Sequence, residues 1–369
     1  MPEVADVFRR FGAGYLAAHG AAMLPSHRRA IADIVACRTE ALGGQQWRCN
    51  HCGTLLYVFH SCRNRACPKC HGEQTQDWLE QRQEEMLPVP YFHVTVTVPQ
   101  ELRAVQRHRQ IDGYDALMKA AASSIIDLGR NPRWIGGNDG ELAVLHTWTQ
   151  RLIFHPHVHC LVTGGGVSDD GAIWHPAGKM FLFPKTALAT LARARFRDTF
   201  ARLCPEAELP RHVWQIPWVV HITPWGKGEP AVLNYLARYA FRIAITNNRI
   251  LAVDDNTVTY RYIDRAADRR RKETVSGPEF IRRYLQHVLP AGFHKIRYYG
   301  LWHASRRRHM RNLRNVFLLA EPAAPPGDID LADPPQPTAD QPSPRLCPQC
   351  RTGHLTLIRR ISPVWPRGP

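Results

Sequence analysis

A run of cysteines near the N-terminus limits most strongly how this chain can fold. Cys49 and Cys52 form one Cys-x-x-Cys pair, and Cys67 and Cys70 form a second after fourteen intervening residues. A two-residue spacing lets one tight turn direct both sulfurs at a single Zn²⁺, and two such turns complete a tetrahedral shell. The spacing therefore predicts a structural zinc ribbon with these four ligands and with LLYVF as a strand between them. A full shell leaves no open position for catalysis.

Other cysteines and histidines offer further ligands. Cys62 is a candidate to replace a member of the first pair, and a second zinc stays open. Cys347 and Cys350 form a C-terminal half-site followed by His354, for which both metal binding and an exposed remnant remain open. The surplus groups near the two N-terminal pairs are Cys37, His51, His60 and His71.

Charge and length exclude several classes of protein. The 369 residues carry 48 Lys and Arg against 32 Asp and Glu, a net charge of +16. This excess makes nucleic acid the first partner to consider, ahead of a membrane surface. The longest segments without charged residues, 11–27 and 152–168, contain Gly, Pro and His, so neither predicts a membrane span. No secretion signal is evident at the N-terminus, and clustered cysteines then favour metal over disulfides.

The order of predicted elements indicates an α+β fold. Helical patterns dominate 1–48 and recur at 74–87, 101–128, 184–203, 229–243 and 279–288. Strand patterns cover YFHVTVTVP, 142–149, 157–163 and 212–223, with a hairpin at 251–263. We expect a helical and zinc-ribbon domain at 1–90, suited to nucleic-acid binding, and a larger α+β domain at 91–320. A proline-rich linker at 321–345 and a short tail at 346–369 follow.

The C-terminal part of the second expected domain is strongly basic. Residues 261–314 hold fifteen Lys or Arg against four Asp or Glu, too lopsided for pairing within the chain. Aromatic side chains of Tyr298, Tyr299 and Trp302 are interleaved, which favours a nucleic-acid contact surface over a merely solvated face. The candidate DNA-binding residues are Arg269, Arg270, Arg271, Lys272, Arg306, Arg307 and Arg308, with Arg238 added from the helix at 229–243.

A histidine-rich strand is the first element with catalytic potential. In HPHVH, alternation places His155, His157 and His159 on one face and Val158 on the other. Imidazoles on one strand face can converge on one cation, whereas a single strand histidine is more often a hydrogen-bonded core residue. The pattern predicts a metal site without choosing between Zn²⁺, Mn²⁺ and Mg²⁺.

Two tyrosines form the second such element. Tyr235 and Tyr239 are four residues apart on a predicted helix, so both phenols lie on one face. Taken in isolation, the two are better explained as a pair of core or interface tyrosines. Beside a metal, in a basic protein, they match what covalent attack on a DNA phosphodiester requires: a nucleophile and a cation that polarises the phosphate.

Five segments together resemble a known family. HSCRNRACPKC, LPVPYFHVTVTVP, HPHVHCLVTGGG, YLARYAFRIAITNNRI and EFIRRYLQHVLPAGFHKIRYYGL are similar, in order, to the rolling-circle transposases of bacterial insertion sequences. These are two-tyrosine members of the HUH endonuclease superfamily. The resemblance implies a zinc-binding, DNA-binding domain at 1–90 and a nuclease domain at 91–320 with a central antiparallel sheet. In that domain it implies His157 and His159 as ligands of Mg²⁺ or Mn²⁺, and Tyr235 and Tyr239 as nucleophiles. For the third, polar ligand it suggests Gln150, with His155 as the runner-up.

The resemblance also implies a reaction and its partners. A tyrosine would cleave single-stranded DNA at an element end, leaving a 5′-phosphotyrosine and a free 3′-OH, and strand transfer would follow. Host replication and helicase proteins are expected partners, and the bacterial cytoplasm and nucleoid the expected location, with no membrane partner. Three alternatives remain open. The protein could be a replication initiator or relaxase of the same superfamily, a non-catalytic zinc-ribbon DNA-binding regulator, or an RNA-binding protein.

Overall fold

The structure is a computed structural model that describes residues 1–70, 72–83, 85–209, 211–225, 232, 243–264, 267–320 and 345–364. The predicted linker at 321–345 lies outside the described residues except for Arg345. Arg238 and both predicted nucleophiles, Tyr235 and Tyr239, also lie outside them. Only Val232 and Ile243 are described within the predicted helix at 229–243.

The described elements are a mixture of helices and strands, in the α+β order that the sequence predicts. The α-helices are α1 (Val4–His19), α2 (Pro25–Ala36), α3 (Gly72–Gln83), α4 (Arg103–His108), α5 (Gln110–Arg130), α6 (Lys185–Leu203), α7 (Gly277–Leu285) and α8 (Arg307–Ala320). The first strands are β1 (Gly44–Cys49), β2 (Leu55–Phe59), β3 (Tyr91–Thr97), β4 (Gly140–Trp148), β5 (Phe154–Thr163), β6 (Gly165–Val167) and β7 (Trp174–Pro176). The later strands are β8 (Val219–Trp225), β9 (Ile250–Val253), β10 (Thr257–Asp264), β11 (Arg269–Ser276), β12 (Ile296–Gly300) and β13 (Leu355–Ile361).

A five-stranded sheet with the order β12-β4-β5-β3-β8 forms the centre, and every neighbouring pair in it is antiparallel. The α+β architecture predicted from the sequence is thus confirmed. Alternation gives the sheet two different faces. One face is apolar, with Val94, Val96 and Val158 buried under α5 and α6 in the main hydrophobic core. The opposite face carries histidines and threonines along the same strands.

A second hydrophobic core joins the N-terminal helices to the part of the chain after residue 243. Phe8 on α1 packs edge-on against Tyr284 on α7, with ring centroids 5.2 Å apart. Tyr260 on β10 lies in the same cluster and belongs to the predicted hairpin at 251–263, which the structure forms from β9 and β10. The N-terminal helices therefore share their core with residues after 243. The division into the four predicted ranges stays a prediction.

The N-terminal sheet differs from the helical pattern expected for 1–48. Residues 44–49 form β1, which pairs with β2 on one side and with the C-terminal β13 on the other. Gly43 begins this change of structure, since it adopts a positive φ of 69° that a β-carbon would strain. A β-carbon there would also lie 2.5 Å from the carbonyl oxygen of Ile361. Within the described part of the chain, no helix combines the length and apolar character needed to cross a bilayer.

Two carboxyl groups are buried at the start of β4. Asp139 and Glu141 are almost fully inaccessible to solvent. Burial raises the pKa of Asp139 to about 7 and that of Glu141 to about 8, because a buried carboxylate loses its hydration. Both groups therefore hold protons in the folded chain at pH values where an unfolded chain would release them.

We expect Glu141→Gln to gain stability relative to the wild type as the pH rises. The unfolded glutamate ionises near 4.5 and the folded one near 8. Between these values the folded wild type binds the extra proton, so its free energy of unfolding falls by up to about 1.4 kcal/mol per pH unit. The glutamine variant lacks this loss. Urea unfolding midpoints measured between about pH 5 and pH 8 should diverge steadily.

Glu273→Gln is the matched control. Burial opposes ionisation of Glu273, but hydrogen bonds from Arg151 and Arg283 prevail and lower its pKa to about 2. Its stabilising contribution is present above the unfolded pKa, so this variant should be less stable by a constant amount over the same range. A constant offset for Glu141→Gln as well would contradict the assignment.

Candidate metal and nucleic-acid site

Three histidines converge on the polar face of the central sheet. His157 and His159 lie on β5, and His146 lies on β4 directly opposite His157. One ring nitrogen from each of the three lies within 4.8 Å of the others. Opposed residues of antiparallel strands share a face, so the register itself brings His146 to the pair. The group offers three imidazole nitrogens to one cation.

The third member differs from the ligand that the resemblance suggested. Gln150 lies beyond the end of β4, in the turn to β5, and lines the same cavity as the histidines. His155, the runner-up, accepts a 2.7 Å hydrogen bond at Nδ1 from Arg103. His146 was not singled out in the sequence. Its position in a hairpin, four residues before the turn that leads back to His157, could have identified it as a candidate ligand.

Hydrogen bonds orient the two β5 ligands. Nδ1–H of His157 donates to the carbonyl oxygen of His155 over 2.7 Å, because a carbonyl can only accept, and Nε2 is left as the basic nitrogen. Nδ1 of His159 shares a 2.9 Å hydrogen bond with Nε2 of His93, and the Thr95 hydroxyl lies 3.2 Å from the same Nδ1. Burial, with a smaller contribution from His221, lowers the pKa of His93 to about 4. His93 is therefore neutral near pH 7.

The histidine face forms the floor of a cavity of 980 Å³. Its wall comes from the β10–β11 hairpin, which contributes Tyr262, Ile263 and Arg271. The rim also carries exposed apolar side chains, with Ile153 42% and Val219 53% accessible. A cavity with imidazoles at its floor, and with cationic, aromatic and aliphatic groups at its rim, suits a nucleotide chain.

An ionic network fixes one side of this rim. Arg151, in the β4–β5 turn, makes two hydrogen bonds of 2.9 and 3.0 Å to the carboxylate of Glu273 on β11. Arg283 on α7 donates to the same carboxylate over 2.9 Å. The turn is further held by His287, whose Nε2–H donates to the Leu152 carbonyl over 3.2 Å. The rim is thus tied to the second core through α7.

The predicted DNA-binding residues fall into two exposed groups. The first, 269–272, lies along β11, where Arg271 pairs with Asp264 at 2.9 Å and lines the cavity. The second, 306–308, lies at the start of α8. The interleaved aromatic residues do not form a stacking surface as expected. Trp302 is buried, and Tyr298 accepts a 2.8 Å hydrogen bond from the Trp78 indole.

Two described residues lie at or near the ends of the segment with the predicted nucleophiles. Val232, three residues before Tyr235, is buried in a cluster with Val144 and Leu161, which neighbour the histidines on β4 and β5. Ile243, at the other end of the segment, lines a pocket with Trp148, the last residue of β4.

The ten cysteines contain two groups of four, and these groups correct the predicted ribbon. Cys49 and Cys52 lie with two C-terminal cysteines, whereas Cys67 and Cys70 lie in a separate group. The physical reason is β2, whose five residues carry the chain about 17 Å away from the Cys49–Cys52 turn. The two groups are Cys37, Cys62, Cys67 and Cys70, and Cys49, Cys52, Cys347 and Cys350.

The first group fits a structural zinc. Sγ of Cys70 lies 3.4 Å from that of Cys37 and 3.5 Å from that of Cys62. Four sulfurs at 2.3 Å from a tetrahedral Zn²⁺ lie about 3.8 Å apart, so small shifts would accommodate the ion. The sequence offered Cys62 as a further candidate ligand, and Cys62 lies in this group. Cys37 completes the set of four. All ten cysteines are free of disulfides.

Comparisons with known proteins agree with these features. Residues 140–309 match a family described as "Putative transposase", and residues 7–98 match a family described as "Transposase zinc-binding domain". The chain is 37% identical to "Putative transposase y4qJ" of Sinorhizobium fredii, over 97% of this chain and 95% of that protein. It is 28% identical to "Transposase for insertion sequence element IS801" of Pseudomonas savastanoi pv. phaseolicola, over 73% of this chain and 68% of that protein. No solved structure gives a significant match.

The zinc-binding family covers the first cysteine group entirely, and the transposase family covers the three histidines and the basic β11. The sequence-based resemblance is confirmed by both matches. The chain therefore belongs to the transposases of insertion sequences that carry an N-terminal zinc-binding domain.

Proposed function

We propose that this transposase cleaves single-stranded DNA with a tyrosine nucleophile at a metal held by His146, His157 and His159, and then transfers the strand by the reverse reaction. The observation that carries the proposal is the convergence of three imidazoles within 4.8 Å on a sheet face that opens into a large cavity. This is rolling-circle transposition, in which no nucleotide cofactor is required.

The donor set favours Mn²⁺ over Mg²⁺ as the cation. Imidazole is a softer ligand than the carboxylate and water oxygens that Mg²⁺ prefers, and three nitrogens are offered here. A bound divalent cation would polarise the scissile phosphate and offset the charge that develops on it. The protein's part is to orient the ligands, as the hydrogen bond between Nδ1 of His159 and Nε2 of His93 would do for the His159 ring.

Tyr235 and Tyr239 are the proposed nucleophiles. Their support is that Val232 and Ile243, at or near the two ends of the segment, each share a cluster or a pocket with residues of β4, the strand that carries His146. The phenolic oxygen attacks phosphorus, a bond from phosphorus to tyrosine forms, and the bond to the 3′ oxygen breaks. The phenol loses its proton and the 3′ oxygen gains one from solvent, so one phosphodiester replaces another. A second tyrosine permits a second cleavage before the first linkage is resolved.

The cavity rim supplies the proposed contacts to single-stranded DNA. Arg151 and Arg271 place positive charge beside the histidine face, where phosphates would pass. Tyr262 and the exposed Ile153 and Ile263 offer surfaces for unstacked bases. The basic groups at 269–272 and 306–308 extend this surface, and Arg238 is proposed to join it. Host replication proteins would act on the freed 3′-OH, in the bacterial cytoplasm at the nucleoid.

The zinc of the N-terminal domain has a structural role in this proposal. Cys37, Cys62, Cys67 and Cys70 form a closed shell, so they would offer no position to a substrate. Ala66, between these cysteines, accepts a hydrogen bond from the hydroxyl of Tyr284 on α7. Zinc at this site would therefore stabilise the core that also supports the rim of the cavity.

The direct test is covalent adduct formation. With Mn²⁺ and single-stranded oligonucleotides from the DNA that flanks the reading frame, wild-type protein should give a protein–DNA band on a denaturing gel. Tyr235→Phe/Tyr239→Phe should abolish the band while leaving DNA binding within about twofold, because only the nucleophilic oxygens are removed.

Tyr57→Phe is the matched control, since Tyr57 lies on β2, outside the cavity lining, and should keep full activity. If the double variant still forms the adduct, the nucleophile assignment is wrong. If the wild type binds DNA but forms no adduct on any flanking sequence, the non-catalytic regulator is favoured instead.

We also expect His93→Ala to weaken the metal site without removing a ligand. Loss of its hydrogen bond to His159 frees that ring to rotate, and comparable changes cost about 10- to 100-fold in metal affinity. The Mn²⁺ concentration for half-maximal cleavage should rise by this factor, with cleavage recovered at saturating Mn²⁺. His221→Ala changes a histidine of the same cavity that lies outside the three-histidine group, and should shift it little. Equal shifts in both variants would contradict the positioning role.

A further inference from the structure

We propose that Cys49, Cys52, Cys347 and Cys350 form a second structural zinc site, which joins the C-terminal tail to the N-terminal hairpin. Two of the four ligands lie outside both regions matched by known families. The site is separate from the first cysteine group, and its assignment does not depend on the nuclease activity.

The sulfur positions suit a tetrahedral ion. Sγ of Cys49 lies 3.7 Å from that of Cys350, and Sγ of Cys52 lies 3.8 Å from that of Cys347. These separations equal the edge of about 3.8 Å expected when four sulfurs surround Zn²⁺ at 2.3 Å. They are far from the 2.05 Å or so of a disulfide. Four sulfurs and no oxygen or nitrogen donor favour Zn²⁺ over Mg²⁺ or Mn²⁺.

The two Cys-x-x-Cys turns are built alike. The amide of Gly53 donates to the Cys49 carbonyl over 3.1 Å, and the amide of Arg351 donates to the Cys347 carbonyl over 2.9 Å. Both donors have a positive φ, 71° and 58°, which costs little at glycine but is unusual for arginine. The same strained turn at two distant places, each aiming two sulfurs at one point, is the geometry of paired zinc-binding turns.

Backbone amides also point at the sulfurs. Sγ of Cys49 accepts from the amides of His51 and Cys52 over 3.4 and 3.5 Å, and Sγ of Cys350 accepts from that of Gly353 over 3.3 Å. Such donors stabilise a thiolate, which is the form that binds metal. They supply the orientation that a zinc ligand needs from its surroundings.

The tail is positioned for this role by its own backbone pairing. Strand β13 pairs with β1 from Gly44 opposite Ile361 to Cys49 opposite Leu355. At the turns, the amide of Asn50 donates to the His354 carbonyl over 3.0 Å. Gly353 fits closely here, since a β-carbon would lie 2.5 Å from Sγ of Cys49. Strand pairing and cysteine placement therefore agree, and an ion would lock residues that lie about 300 positions apart in the sequence.

Zinc content of the full-length protein tests the proposal. We expect two zinc ions per chain in the wild type by mass spectrometry of the metal, and one in Cys347→Ser/Cys350→Ser. Cys62→Ser/Cys70→Ser, in the first group, should also retain one. Cys204→Ser, at a cysteine outside both groups, should retain two. One zinc in the wild type, retained in Cys347→Ser/Cys350→Ser, overturns the second site.

A measurement on the wild type covers the case in which the variants do not fold. Cys52 is exposed, so a free thiol there would react readily with iodoacetamide. In the zinc-loaded protein Cys52 and Cys350 should both resist alkylation, and both should react after zinc is withdrawn by a strong chelator. Buried Cys204 is the internal reference and should stay unmodified throughout. Alkylation of Cys52 and Cys350 at the same rate before and after chelation refutes the proposal.

Discussion

The alternation of side chains across one antiparallel sheet is the constraint on which the rest of the structure depends. Strands β3, β4, β5 and β8 each send one set of residues into an apolar core under α5 and α6 and the other set toward the cavity. Burying the valines of one face obliges the histidines of the other to share a surface. A slip of one residue in register would bury the imidazoles and expose the core, so packing energy also maintains the site.

This dependence explains which parts of the site the sequence could predict. His157 and His159 share a face because the period of a strand is two, and no tertiary information is needed for that. His146 required the register of β4 against β5, including the irregularity between His146 and Trp148. Register is set by the hairpin turn and by packing on both faces, and spacing along the sequence does not reveal it. From spacing alone, Gln150 was therefore a suitable candidate for the third ligand.

The cysteines show the same limit on a larger scale. The Cys-x-x-Cys spacing predicts a turn that aims two sulfurs at one point, and both N-terminal pairs form such turns. Which turns meet is decided by the direction of β2 and by the pairing of β13 with β1. The latter contact spans most of the chain, which local patterns cannot reveal. The tyrosine pair was predicted by helical spacing and resemblance and stays a prediction.

The shared second core connects these sites mechanically. Phe8 and Tyr284 join α1 to α7, and Arg283 of α7 holds Glu273, which in turn holds Arg151 at the cavity rim. The zinc-binding region and the histidine cavity are thus linked through packed side chains and charge-assisted hydrogen bonds. This arrangement gives the N-terminal domain a direct physical route to support the site where DNA is proposed to bind.

Pulsed electron paramagnetic resonance of Mn²⁺ bound to the full-length protein tests the central claim most directly. Magnetic coupling to ligand nitrogen nuclei counts the imidazoles around the ion. We expect three nitrogens in the wild type, two in His146→Ala and three in Gln150→Ala, because His146 faces His157 across the strands. An unchanged count in His146→Ala, or the absence of any nitrogen coupling in the wild type, would contradict the claim.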